Sequence, residues 1–119
     1  MKIFGKEYAF SYTVGAYDEI KKFKDEHPEM PNMELNAHVA IILSQWHERA
    51  ESLRAQAEGR DYVEAPLEME TIRMLTFSQL DDLVEECDAA MKRDLRRTVE
   101  AESGEPQKKT NQPEASSLS

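Results

Sequence analysis

Apolar residues recur along the chain with two different periods, which predict a short β-structure followed by helices. Near the N-terminus the apolar positions alternate, at Tyr8, Phe10 and Tyr12. A period of two with aromatic residues is typical of a strand, and Gly5 with the lysine after it offers a tight turn. We therefore predict a β-hairpin over residues 2–12. It must pack on helices, because an isolated hairpin is marginal in water.

After the hairpin, the period changes to that of amphipathic helices. Thr13 is a suitable cap for a first helix, which Pro28 and Pro31 end because the residue before a proline avoids helical geometry. Asn32 is predicted to cap a second, longer helix that Gly59 terminates. The apolar face of this second helix is predicted to be continuous: Leu35, Val39, Ile42, Leu43, Trp46, Ala50, Leu53 and Ala57.

The remaining helical signals predict a short helix and a long one. Pro66 suits the first turn of a short helix that ends at Met74. Thr76 and Gln79 form a capping-box pattern before a last helix over Phe77–Arg97. The apolar stripe of that helix is Leu80, Leu83, Val84, Cys87, Met91 and Leu95.

The C-terminal stretch differs in composition from the rest of the chain. Residues 101–119 contain one large apolar residue, Leu118, among prolines and small polar residues. Such a segment cannot bury enough surface to offset the entropy of ordering. We predict one helical domain at residues 1–100 and a disordered tail at 101–119. The predicted fold class is mainly α, with a small N-terminal β-hairpin packed on a bundle of three to four helices.

The chain is strongly acidic, which limits the classes of partner that it can bind. Asp and Glu number 24 against 15 Lys and Arg, a net charge of −9. Phosphate backbones and anionic lipids repel such a protein, so we expect neither a nucleic acid nor a membrane as partner. The longest apolar run, Val39–Leu43, is much shorter than the ~20 residues of a membrane span. One cysteine indicates a reducing, cytoplasmic environment. The modest core is compatible with a homo-oligomer.

No arrangement of reactive residues in the sequence requires chemistry to explain it. His47 and Glu48 resemble half of a zinc-protease helix, but Glu51 stands where the second histidine would be. His38 lies about half a rotation around the helix from His47, so the two cannot share a metal. Cys87 lies on an apolar stripe, which indicates a structural thiol. We expect no metal, no cofactor and no enzymatic activity.

The aromatic residues allow two interpretations. In the simpler one they all belong to the core. A hairpin has two faces and only one needs the core, so the other interpretation leaves an aromatic face open to a partner. The candidate partner-binding residues are Tyr8, Phe10, Tyr12, Tyr17 and Trp46.

Three short sequence segments, here called phrases, resemble those of a known family. They are Ile-Phe-Gly-Lys-Glu-Tyr at residues 3–8, Tyr-Thr-Val-Gly-Ala-Tyr at 12–17 and Leu-Thr-Phe-Ser-Gln-Leu-Asp-Asp-Leu at 75–83. In these phrases and in its layout the chain resembles the tail assembly chaperones of long-tailed bacteriophages and related prophages. The resemblance implies a non-enzymatic protein of the host cytoplasm. Such a protein coats the helical tape-measure protein and keeps it soluble until tail-tube subunits polymerise around it.

Two other functions remain open at this stage. The first is a small structural protein of the virion, such as a head–tail connector or completion protein. The second is an acidic inhibitor that mimics DNA, which requires acids spread over one surface at phosphate-like spacing. Because the acids here cluster in the last helix and elsewhere alternate with bases, the sequence favours this inhibitor least.

Overall fold

The structure is a computed structural model that describes the backbone of residues 1–103 and the side chains of residues 1–95. Its elements in chain order are β1 (Lys2–Ile3), β2 (Lys6–Glu7), α1 (Val14–Glu26), α2 (Asn32–Ala57), α3 (Met69–Arg73) and α4 (Phe77–Ser103). Within this part of the chain, the predicted mainly helical fold with a small N-terminal hairpin is confirmed. Residues 104–119 of the predicted tail lie outside the described residues, and α4 continues past the predicted boundary at residue 100.

The hairpin is shorter than predicted and turns one residue earlier. Lys2 lies opposite Glu7 and Ile3 opposite Lys6, so the turn consists of Phe4 and Gly5. Both turn residues have positive φ angles, 48° and 82°. A two-residue hairpin loop of this kind needs positive φ at both central positions, which fixes the turn here.

The antiparallel pairing ends at Tyr8, whose N–H donates to the carbonyl oxygen of Met1 at 2.8 Å. Residues 9–13, here called the extended segment, do not continue the predicted second strand but run along the helices. The Ser11 N–H donates to the carbonyl oxygen of Leu43 at 3.2 Å. The Tyr12 N–H donates to Asp94 Oδ2 at 2.8 Å. Backbone groups that a strand partner would satisfy are therefore satisfied by α2 and α4. The alternation of side chains persists in this extended backbone, so Tyr8 and Phe10 both enter the core.

Three predicted helix boundaries are confirmed by their hydrogen bonds and backbone geometry. The Ala16 N–H donates to Thr13 Oγ1 at 3.0 Å, which makes Thr13 the cap of α1. Thr76 and Gln79 bond each other reciprocally, as a capping box requires. Gly59 has φ of 74° and ends α2 in the left-handed geometry that glycine tolerates.

Two other boundaries were predicted wrongly. Pro31, not Asn32, caps α2, because its carbonyl already accepts the Leu35 N–H at 2.9 Å. The short helix α3 begins at Met69 instead of Pro66. Before α3, Ser44 Oγ accepts the Leu67 N–H at 2.8 Å, and this buried bond attaches the loop to α2.

Helix α2 forms the centre of the fold. Every side chain from residue 37 to residue 48 is buried or half-buried, so other elements surround this part of the helix. The predicted face is wrong near the C-terminal end, where Leu53 is 66% exposed and Ala57 is also exposed. Ala55 is buried there instead. The stripe predicted for α4 is confirmed up to Met91, but Leu95 is 56% exposed.

Candidate binding grooves

Two apolar grooves open on the surface near opposite ends of α2. We call the first the tryptophan groove, which Val14 and Gly15 of α1 form with Trp46, Ala50 and Leu53 of α2. The second is the methionine groove, whose apolar lining is Met33, Ala37, Ile72, Leu75, Phe77 and Leu80. Their volumes are about 540 and 490 Å³. Both lie within the ~300–1,000 Å³ range typical of ligand sites.

The indole of Trp46 is fixed on three sides in the tryptophan groove. Its Nε1–H donates to Glu19 Oε1 at 2.8 Å. The guanidinium of Arg49 lies 4.4 Å from the ring centroid, in cation–π geometry. Gly15 lies so close that a Cβ on it would be 2.2 Å from the Cη2 atom of the indole. A glycine in the first turn of α1 therefore serves a close approach between two helices.

The rim of the tryptophan groove exposes large apolar side chains. Val14 is 80% exposed and Leu53 is 66% exposed. Single exposed apolar residues are ordinary on a protein surface, but here two of them border one concave apolar site. The groove can therefore take up an apolar side chain of another molecule beside the fixed indole.

The methionine groove joins residues of three helices. Ala37 of α2 and Ile72 of α3 are buried at 6% and 7% exposure and form its floor. Met33 and Phe77 border it and are 53% and 72% exposed. Methionine side chains are flexible and polarizable, which suits a surface that adapts to different apolar partners.

The structure separates the five predicted partner-binding residues. Tyr8 and Phe10 are 9% and 6% exposed, so they belong to the core and offer little surface to a partner. Tyr12 is half-buried and packs edge-to-face on the half-exposed Tyr17, with ring centroids 6.2 Å apart. Trp46 lines the tryptophan groove. The core interpretation thus describes the first two residues, while the partner role of all five stays a prediction.

Several groove residues were missed from the sequence. Phe77 and Met33 lie off the predicted apolar stripes, and an apolar residue in the first turn of a helix is a weak signal. Gly15 was a stronger signal. A glycine within a helix costs about 1 kcal/mol of stability relative to alanine, and a close approach of two elements is a common reason for its presence.

A serine and a histidine meet beside the extended segment. Ser11 Oγ lies 2.9 Å from His47 Nδ1. The nearest oxygen of Glu51 is 4.0 Å from His47 Nε2, beyond hydrogen-bond distance, and this carboxylate pairs with Arg54. The geometry therefore lacks the second hydrogen bond of a catalytic triad. The contact attaches the extended segment to α2.

The described residues contain no cluster of His, Cys, Asp and Glu that could hold a metal ion. His27 stacks on Phe23 with a centroid distance of 4.3 Å, and His38 packs against the same ring in a tilted geometry at 4.7 Å. Their rings therefore serve packing at one end of α1. In the same part of the chain, no helix has both the length and the apolar character that crossing a membrane demands.

The thiol of Cys87 should be almost inert in the folded protein. The residue is 4% exposed, and burial raises the pKa of the thiol to about 12, with smaller contributions from Asp88 and Glu86. Because the thiolate is the reactive form, we expect an aromatic disulfide reagent at about pH 8 to react roughly 10³-fold more slowly than with the protein in concentrated urea. Absorbance of the released thiolate measures both rates. Equal rates would contradict a buried, structural cysteine.

Comparison with protein-family models, with curated proteins and with solved structures found no match for this chain. The resemblance to tail assembly chaperones therefore depends on the three phrases and on the layout of the chain.

Proposed function

We propose that this protein is a non-enzymatic chaperone that shelters amphipathic helices of another polypeptide in its two grooves. The single observation that carries the proposal is the pair of open apolar grooves near opposite ends of one central helix. Amphipathic helices bind such grooves with apolar residues at i, i+3 or i+4, and i+7. By the resemblance of the sequence, the partner is the tape-measure protein of a long-tailed phage, with recruitment of tail-tube subunits as the next step.

The spacing of the two grooves favours a long, repetitive polypeptide as the client, the protein that this chaperone would shelter. Ala37 and Ala50 line different grooves and lie thirteen residues apart on α2, which corresponds to about 20 Å along the helix axis. Thirteen residues are about 3.6 turns, so the two alanines face nearly opposite sides of α2, and each groove would take a different helix of the client. Two weak contacts on one client then add to a much higher avidity.

The net charge supports a coating role in the host cytoplasm. Many copies bound along one client would each carry a formal charge of −9. Mutual repulsion between coated assemblies keeps them dispersed, while each apolar groove is covered by the client. A short or strongly acidic client would gain little from such a coat.

Co-expression with a fragment of the tape-measure protein from the same genome tests the proposal. We expect the chain to raise the soluble fraction of the fragment, as measured by quantitative electrophoresis after centrifugation. The double variant Leu53→Ser with Phe77→Ser alters one exposed residue of each groove and should abolish most of this gain. Val63→Ser is the matched control, because Val63 is 85% exposed and lines neither groove.

Two results would contradict the proposal. One is an unchanged soluble fraction of the fragment in the presence of the wild-type chain. The other comes from mass spectrometry of purified particles, where a chaperone should be absent. Recovery of this chain in stoichiometric amounts would identify it as a structural component of the virion instead.

A further inference from the structure

We draw no further inference here: the strongest candidate, the methionine groove between α2, α3 and α4, has one acidic and one basic residue in its lining, Glu34 and Arg73, and nothing in the part of the chain that the structure describes shows what covers it.

Discussion

Leu43→Ala should lower the free energy of unfolding by about 2–5 kcal/mol, the range for a leucine that leaves a cavity in a packed core. Leu43 is completely buried in the middle of α2, where the helix is covered on all sides. Its carbonyl also accepts the Ser11 N–H of the extended segment, so movement of α2 at this point disturbs a second element. Because a domain of this size has roughly 5–15 kcal/mol of stability, the loss is a large fraction of the total.

Urea denaturation followed by circular dichroism measures the loss, and α2 provides a matched control. Leu53 lies ten residues along the same helix but is 66% exposed, so Leu53→Ala should change the free energy by less than about 0.5 kcal/mol. The two substitutions remove the same atoms and alter helix propensity equally. Equal losses would mean that Leu53 is covered in solution, for example by a second copy, and would contradict the exposed tryptophan groove.

These two leucines also show what the sequence could predict. Both belong to the apolar face that was predicted for α2, and the pattern assigned both to the core. Local signals were sufficient for the helix itself, since the boundary at Gly59 depends on residues adjacent in sequence. The length of α2 that other elements cover depends on the lengths and directions of those elements. The periodicity of α2 therefore does not predict where its burial ends.

The extended segment illustrates the same limit. The alternation of Tyr8, Phe10 and Tyr12 fits any extended backbone with one face buried, whether its partner is a strand or a helix. The choice was decided by contacts with Leu43 and Asp94, which lie far away in sequence. Periodicity therefore predicted the burial of Tyr8 and Phe10 correctly, whereas the predicted strand was wrong.

The methionine groove was the part least accessible to prediction. Its lining comes from the first turns of α2 and α4 and from α3, a helix of five residues with no useful period. Charge, in contrast, can be read directly from the amino-acid sequence, where the acids of the last helix form a visible cluster. The charged residues that line the groove, Glu34 and Arg73, lie far apart along the chain, and only the fold brings them to the same groove.

Gly15→Ala should destabilise the protein by about 1–3 kcal/mol, although helix propensity alone predicts a gain of about 1 kcal/mol. The new Cβ would lie 2.2 Å from Cη2 of the Trp46 indole and must displace it. Displacement strains the hydrogen bond to Glu19 and the contact with Arg49, which together hold the ring. The expected sign is therefore opposite to that of an ordinary glycine-to-alanine change in a helix.

The single tryptophan of the chain makes the displacement directly measurable. We expect the fluorescence of Gly15→Ala to shift towards that of a more exposed indole, together with a lower urea midpoint. Val14→Ala is the control, because Val14 precedes Gly15 in the same turn, is 80% exposed and should leave both readings nearly unchanged. If Gly15→Ala were more stable than the wild type, with unchanged fluorescence, then helix propensity would outweigh packing. The indole would then be free to move, and the tryptophan groove would have no rigid wall against which a client helix could bind.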